Sequence, residues 1–215
     1  MTRVGTISYN NKTVKFYYDN VLFESGHFLS AYEIVTIYVP ADGHCLFHSI
    51  LLAYSNSYYN SILNGTTAQF ITRVRSSLAR RLGSKINDSQ RYYDIINGGT
   101  MGSFGIEEFN LREMQQVLNS SSYVGYGYMD FIGMAFDKDI YILDETTKDI
   151  YINDLKYTIT GTRPSIILHY VNNNHYQLIG GKRRDGTIRM HFNPTSPLIR
   201  KLYGRVKEIL AAVKD

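Results

Sequence analysis

A β-branched run from Ile34 to Val39 stops at Pro40, and Asp42-Gly43-His44-Cys45-Leu46-Phe47-His48-Ser49 follows directly. A run of that kind closed by a proline reads as a strand and a turn. Beyond the turn, Leu46, Phe47, Ile50, Leu51 and Ala53-Tyr54 recur at roughly the i, i+3, i+4 spacing of a helix with one buried face. Asp42 and Gly43 suit a helix start. The pattern therefore commits this stretch to strand, tight turn and helix. It places Cys45, the chain's single cysteine, at or near the first helical turn, where unpaired N–H groups and the macrodipole favour negative charge. A helix N-terminus can draw a thiol below its free pKa of about 8.5. The same N–H groups could hold the oxyanion of an acyl-transfer intermediate. A lone cysteine is more often a small buried hydrophobe; the strand–turn–helix setting moves the balance toward a nucleophile.

A second feature, far downstream, moves it further. Between Arg163 and Ile179 two apolar, β-rich runs flank Asn172-Asn173-Asn174, which reads as a hairpin with His175 opening the returning strand. A thiol nucleophile needs a base that is normally distant in sequence and adjacent in space. The 130-residue separation of Cys45 and His175 suits that need. Six histidines compete for the role. His44 and His48 sit in or beside the cysteine helix and offer no separate wall facing a substrate. His169 lies inside an apolar strand and reads as structural, and His27 and His191 have no partner that the pattern identifies. His175 is the choice on placement.

The cysteine segment resembles the Asp-Gly-x-Cys-Leu-Phe-x-Ser signature of OTU (ovarian tumour) cysteine proteases, most of which are deubiquitinases. Tyr126-Gly127-Tyr128-Met129-Asp130-Phe131-Ile132-Gly133-Met134-Ala135 is similar to the family's aromatic-Gly-x-x-acidic helix start. Ile140 to Leu143 and Ile166 to Leu168 resemble its central strands, and His175-Tyr176 its His-aromatic pair. The resemblance spans about Val35 to Ile179 and rests mainly on the cysteine box. It implies an α+β, papain-like OTU fold, with a small central β-sheet flanked by helices and the nucleophile Cys45 at a helix N-terminus. The catalytic residues it implies are Cys45, His175 and Asp42. For Asp42, orienting the nucleophile loop is an alternative to touching His175. Many members place Asp or Asn two residues after the histidine; Gln177 stands there, supplying no negative charge and a longer side chain to hold. Asn172, Asn173, Asn174 and Asn193 stay open as third members alongside Gln177.

The implied reaction is thiol acyl transfer at the ubiquitin C-terminus, requiring no metal or organic cofactor. The implied partner is ubiquitin or polyubiquitin, with a ubiquitin-like modifier as an extension. A catalytically inactive ubiquitin-binding module and another papain-like hydrolase are the competing readings. The compact style resembles OTU proteases of viruses and intracellular bacteria, which would make host proteins the source of substrates. Glu107, Glu108 and Asp130 are acids available to a basic ubiquitin tail, equally explained as helix N-terminal charges.

Composition narrows the remaining classes. With 44% hydrophobic and 20% charged residues the chain is globular in character, and 215 residues suffice for a substantial core. One cysteine excludes an intramolecular disulfide framework and fits a reducing compartment. No secretory leader pattern and no run of about 18 apolar residues is present, so a soluble cytoplasmic protein without membrane contact is expected. The net charge of +4 is modest, and Arg80-Arg81 and Lys182-Arg183-Arg184 read as solvated clusters. The 19 tyrosines form no recognisable RNA-binding motif, so no nucleic acid is expected as a partner, and a monomer is expected.

Three regions are expected: residues 1–33 as a β-like extension holding Val4–Tyr9 and Thr13–Tyr18, 34–195 as the catalytic domain, and 196–215 as an amphipathic helix packed on it. In the second region, Thr67–Leu82 is a helix with Phe70, Ile71, Val74, Leu78 and Leu82 on one stripe and Arg73, Arg75, Arg80 and Arg81 mostly off it. Glu107–Leu118 is a further helix with Leu111, Met114, Val117 and Leu118 inward. Between them the glycine-rich Asn97–Gly105 is an irregular connection lacking the ending of a P-loop. A strand is expected over Thr187–Phe192. The final helix carries Ile199, Leu202, Val206, Ile209, Leu210 and Val213 on one side, and its mixed-charge polar face argues for packing on the domain and against a membrane.

Overall fold

The structure, a computed structural model, describes residues 2–86, 90–94, 110–152 and 159–212. The Asn97–Gly105 connection, the start of the Glu107 helix with Glu107 and Glu108, and Val213 lie outside the described residues.

The chain is α+β, with one mixed seven-stranded sheet and helices on both faces. Strands β1 (Arg3–Tyr9) and β2 (Lys12–Val21) form an antiparallel hairpin. Its two-residue turn, Asn10-Asn11, takes left-handed φ values of 48° and 58°, the conformation a tight hairpin needs and asparagine tolerates. The hairpin is continuous with the main sheet, because β2 pairs with β3 (Ile34–Ile37). The order across the sheet is β1-β2-β3-β6-β5-β4, with β4 (Asp139–Asp144) parallel to β5 (Ser165–Val171) and β6 (His175–Lys182) antiparallel to both β5 and β3. The strand expected over Thr187–Phe192 is shorter: β7 covers Ile188–Arg189, and Phe192 makes only an isolated bridge to Ser165.

Both faces of the central strands are buried, so side chains alternate between two cores. On one face Val35, Ile37, Ile140, Ile142, Ile166, Leu168, Tyr176 and Leu178 meet helices α1 (Cys45–Tyr54), α2 (Asn56–Leu63), α3 (Thr67–Gly83), α4 (Leu111–Asn119) and α5 (Met129–Phe136). On the other, Ile34, Tyr141, Leu143, Ile167 and Ile179 pack beneath α6 (Pro197–Ala212) through Leu198, Ile199, Leu202 and Val206. Near-continuous apolar runs in β4 and β5 are what strands covered on both sides require. Among the described residues no helix is long and apolar enough to cross a membrane.

Two expectations need correction. Arg75 does not lie off the apolar stripe of α3: it is 1% exposed, among the largest fully buried side chains. Asp130, in the first turn of α5, is also buried, which removes it from a surface groove.

Candidate active site

The cysteine helix begins at Cys45 itself, with His44 as its N-cap making no side-chain cap bond. The preceding turn is held from three sides. Asp42 Oδ1 accepts the backbone N–H of His44 at 3.0 Å, and Oδ2 lies 3.0 Å from His48 Nε2. A carboxylate only accepts, so Nε2 carries the proton and the other ring nitrogen, Nδ1, faces the Tyr58 hydroxyl at 2.6 Å. Burial works to raise the Asp42 carboxyl, but the bonds from His48 and His44 outweigh it and leave the pKa below its ordinary value. Asp42 thus ties the turn to the helix it introduces.

Gly43 adopts φ +82°, and a Cβ there would stand 2.1 Å from the Ser121 carbonyl oxygen. Only glycine permits that approach. Behind the contact sits Arg75. Its guanidinium donates to Gly43 O (3.1 Å) and His44 Nδ1 (2.9 Å) on one side, and to Leu118 O (3.0 Å), Val117 O (2.8 Å) and Ser122 O (2.8 Å) on the other. Burial pulls its pKa down to about 10, so it remains a cation at neutral pH, and its bonds to these carbonyl oxygens are charge-assisted.

His175 is the first residue of β6, reached from β5 through Asn172 and Asn173 at φ 53° and 57°. Asn172, Asn173 and Asn174 are exposed on this turn. Strand alternation sends Tyr176 and Leu178 into the core beneath α1, and Gln177 to the other side of the strand, where it meets Thr36. The strand and helix are joined at the residue following the histidine. Ser49 Oγ on α1 donates to Tyr176 O at 3.3 Å, and the Tyr176 backbone N–H acts on the Cys45 sulfur. Tyr123 stacks on the Tyr176 ring at 5.6 Å, bringing the 120s segment to the same place.

The electrostatics differ from what a helix N-terminus alone suggests. Cys45 is 3% exposed. Burial pushes its thiol up, against the opposing backbone N–H groups of Tyr176 and Leu46, and the Asp42 charge adds to the rise. Desolvation of the thiolate therefore wins over the helix-end field. Burial also lowers His175, with the Asp42 carboxylate acting the other way. At neutral pH the two groups rest as thiol and neutral imidazole.

The proposed third members are engaged elsewhere. Gln177 Oε1 accepts the Thr36 hydroxyl at 2.8 Å, and Thr36 lies 3.3 Å from His169 Nδ1. Asn193 Oδ1 closes its own turn, accepting from the Thr195 N–H (2.9 Å) and hydroxyl (2.7 Å). The His175 ring makes no side-chain hydrogen bond among the described residues. No cluster of three or more His, Cys, Asp or Glu there is placed to hold a metal ion.

Sequence reasoning missed Arg75, Thr36 and the His48–Tyr58 pair. For Arg75 a signal existed: Ile71, Arg75, Leu78 and Leu82 fall at i, i+4, i+7 and i+11, so the arginine occupies a core position of its helix.

Helix α1, which begins at Cys45, packs against strand β6, which begins at His175. The solved structures to which the chain is similar are OTU domains. One is an OTU domain in complex with ubiquitin (19% identity, 85% of this chain and 88% of that one, TM-score 0.45). Another is the Hazara virus OTU bound to ubiquitin (13%, 84% and 96%, TM-score 0.40). A third is the viral OTU domain protease from Taggert virus (16%, 86% and 98%, TM-score 0.43). No family model and no curated protein matches the chain.

Proposed function

We propose that the protein is an OTU-type cysteine protease that hydrolyses the peptide or isopeptide bond at the C-terminus of ubiquitin. The observation that carries this reading is the meeting of α1 and β6: the amide of Tyr176, adjacent to His175, lies against Cys45 at the helix start. The Asp42-to-Ser49 box supports the family, through its resemblance to the OTU signature. In the reaction, neutral His175 takes the Cys45 proton as sulfur attacks the carbonyl of the C-terminal glycine. Asp42 already occupies the His44 N–H, leaving the amides of Gly43 and Cys45 as donors for the oxyanion in that turn. Protonated His175 then delivers its proton to the leaving lysine amine, and later activates water to release the thioester.

A ubiquitin probe with a thiol-reactive electrophile at its C-terminus tests the reading. Wild type should form an adduct that Cys45→Ala abolishes and His175→Ala strongly slows. No adduct from folded wild type, with iodoacetamide still reaching Cys45, would overturn it. A second reading, a ubiquitin-binding module without turnover, is favoured by the buried thiol and by the engagement of Gln177 with Thr36. It requires ubiquitin binding by wild type and Cys45→Ala alike, with no adduct.

A further inference from the structure

We propose that Arg75 is a positioning residue: it sets the turn before Cys45 by clamping Gly43 and His44 to the C-terminal end of α4 and to Ser122. The assignment as a residue serving catalysis rests on the proposed thiol protease reading; the clamp itself rests on geometry alone. Arg75 comes from the middle of α3, and its five donors are spread over three separate segments. One side of its planar fork faces the turn. The other faces the carbonyls of Val117, Leu118 and Ser122, next to the segment whose Tyr123 stacks on Tyr176. The turn on which Cys45 stands and the aromatic wall beside His175 are therefore fixed relative to each other through one guanidinium. The plane of that group also rests over Phe47, 5.0 Å from the ring centre, on the cysteine helix.

The chemistry restricts what could substitute. Arginine has no acceptor, so His44 Nδ1 must accept, and the proton of the neutral ring sits on Nε2. Burial and the adjacent guanidinium both hold His44 below its ordinary pKa. The residue next to the thiol is thus kept neutral and in one tautomer. Lysine keeps the charge but has a single nitrogen with three donors and cannot span acceptors on two sides of a plane. Methionine keeps the volume and loses every bond.

The test uses the full chain as wild type, Arg75→Lys and Arg75→Met, at a temperature where near-UV circular dichroism shows each folded. Long-range 1H–15N spectra of the histidine rings read the clamp directly. Wild-type His44 should show a single Nε2–H tautomer that persists below pH 6.5, and the variants should show mixed tautomers with a titration near the ordinary value. Hydrolysis of a ubiquitin C-terminal fluorogenic amide should lose kcat by about 30-fold or more, as removal of transition-state donors does, with KM within about threefold. Iodoacetamide alkylation of Cys45, which needs no oxyanion donors, should change far less than kcat. Loss of kcat and alkylation in parallel with a falling melting temperature would show general loosening and overturn the positioning role. A wild-type His44 titrating near 6.5 as a tautomer mixture would overturn the clamp without any variant having to fold. Should wild type fail to hydrolyse the ubiquitin substrate, the reaction reading fails on its own, and the tautomer spectra still decide the clamp.

Discussion

Replacing Gly43 with alanine isolates the contact that holds the nucleophile turn, because the chain supplies its own control. Gly43 and Gly186 share φ +82°, but a Cβ at Gly186 meets nothing within 4 Å while one at Gly43 stands 2.1 Å from Ser121 O. Gly186→Ala therefore costs only the left-handed backbone strain, about 1–2 kcal/mol. At Gly43 the same strain applies, and the turn must also move away from Ser121. Arg75 resists that movement, bonded to Gly43 O at 3.1 Å and to Ser122 O at 2.8 Å. Loss of one charge-assisted bond adds roughly 1.5–3 kcal/mol, so Gly43→Ala is expected to cost about 3–5 kcal/mol in all. At roughly 2–4 °C per kcal/mol for a chain of this size, that lowers Tm by about 6–20 °C, against about 2–8 °C for Gly186→Ala. Thermal unfolding followed by circular dichroism, on both variants and wild type, reads the difference. Equal shifts for the two variants would refute the claim that the Ser121 approach and the Arg75 clamp constrain the turn.

Other expectations follow from burial. Because burial raises the Cys45 thiol, the iodoacetamide rate of the folded protein should still be climbing with pH where the urea-unfolded chain has levelled off; a plateau reached by neutral pH would show a preformed thiolate instead. His169 is pushed down from 6.5 to about 4, chiefly by desolvation. The unfolded chain binds this proton first, so the contribution is complete above pH 6.5 and is lost as pH falls toward 4, at most about 3 kcal/mol. His169→Gln should flatten the urea-derived stability curve across that window, and superimposable curves would contradict the assignment. Leu202, 1% exposed beneath the sheet, should cost about 2–5 kcal/mol when cut to alanine; a loss under about 1 kcal/mol would show α6 to be loosely held.

Elements whose signal is local were legible in the sequence. The cysteine turn announced itself through Pro40, Asp42 and Gly43, and α1 starts at Cys45. The hairpin before His175 was visible in its asparagines, which tolerate the left-handed φ values found there. The C-terminal helix followed from its stripe. Arg75 was misread because charge was weighed above position. An arginine on a core stripe is expensive to bury alone, and nothing in the sequence shows that five acceptors from three segments converge on it. The Thr36–Gln177 bond has the same character, since it joins residues 141 apart across neighbouring strands. The resemblance to OTU proteases offered Gln177 as a partner for His175; register supplies Thr36 as a competitor. For the Cys45 thiol the sequence offered both a helix end, which lowers the pKa, and burial as a small hydrophobe, which raises it; burial has the larger effect and reverses the sign.

That reversal bears on how the proposed reaction would begin. A preformed thiolate–imidazolium pair needs a thiol pKa below that of the imidazole, and here burial moves the two groups apart, the thiol up and His175 down. The proton must then leave sulfur during attack, with neutral His175 as the receiving base. The burial that opposes a resting thiolate also reduces screening around the turn, so the Gly43 and Cys45 amides proposed as oxyanion donors would hold charge formed on the carbonyl oxygen more strongly than water does. On this reading the site is quiet toward small electrophiles and is activated by a substrate that presents its carbonyl to the turn. The ratio of ubiquitin-probe to iodoacetamide rates measures that property: it should be far larger than for a free thiol and should collapse in His175→Ala. A ratio unchanged by removing the histidine would leave Cys45 without its base.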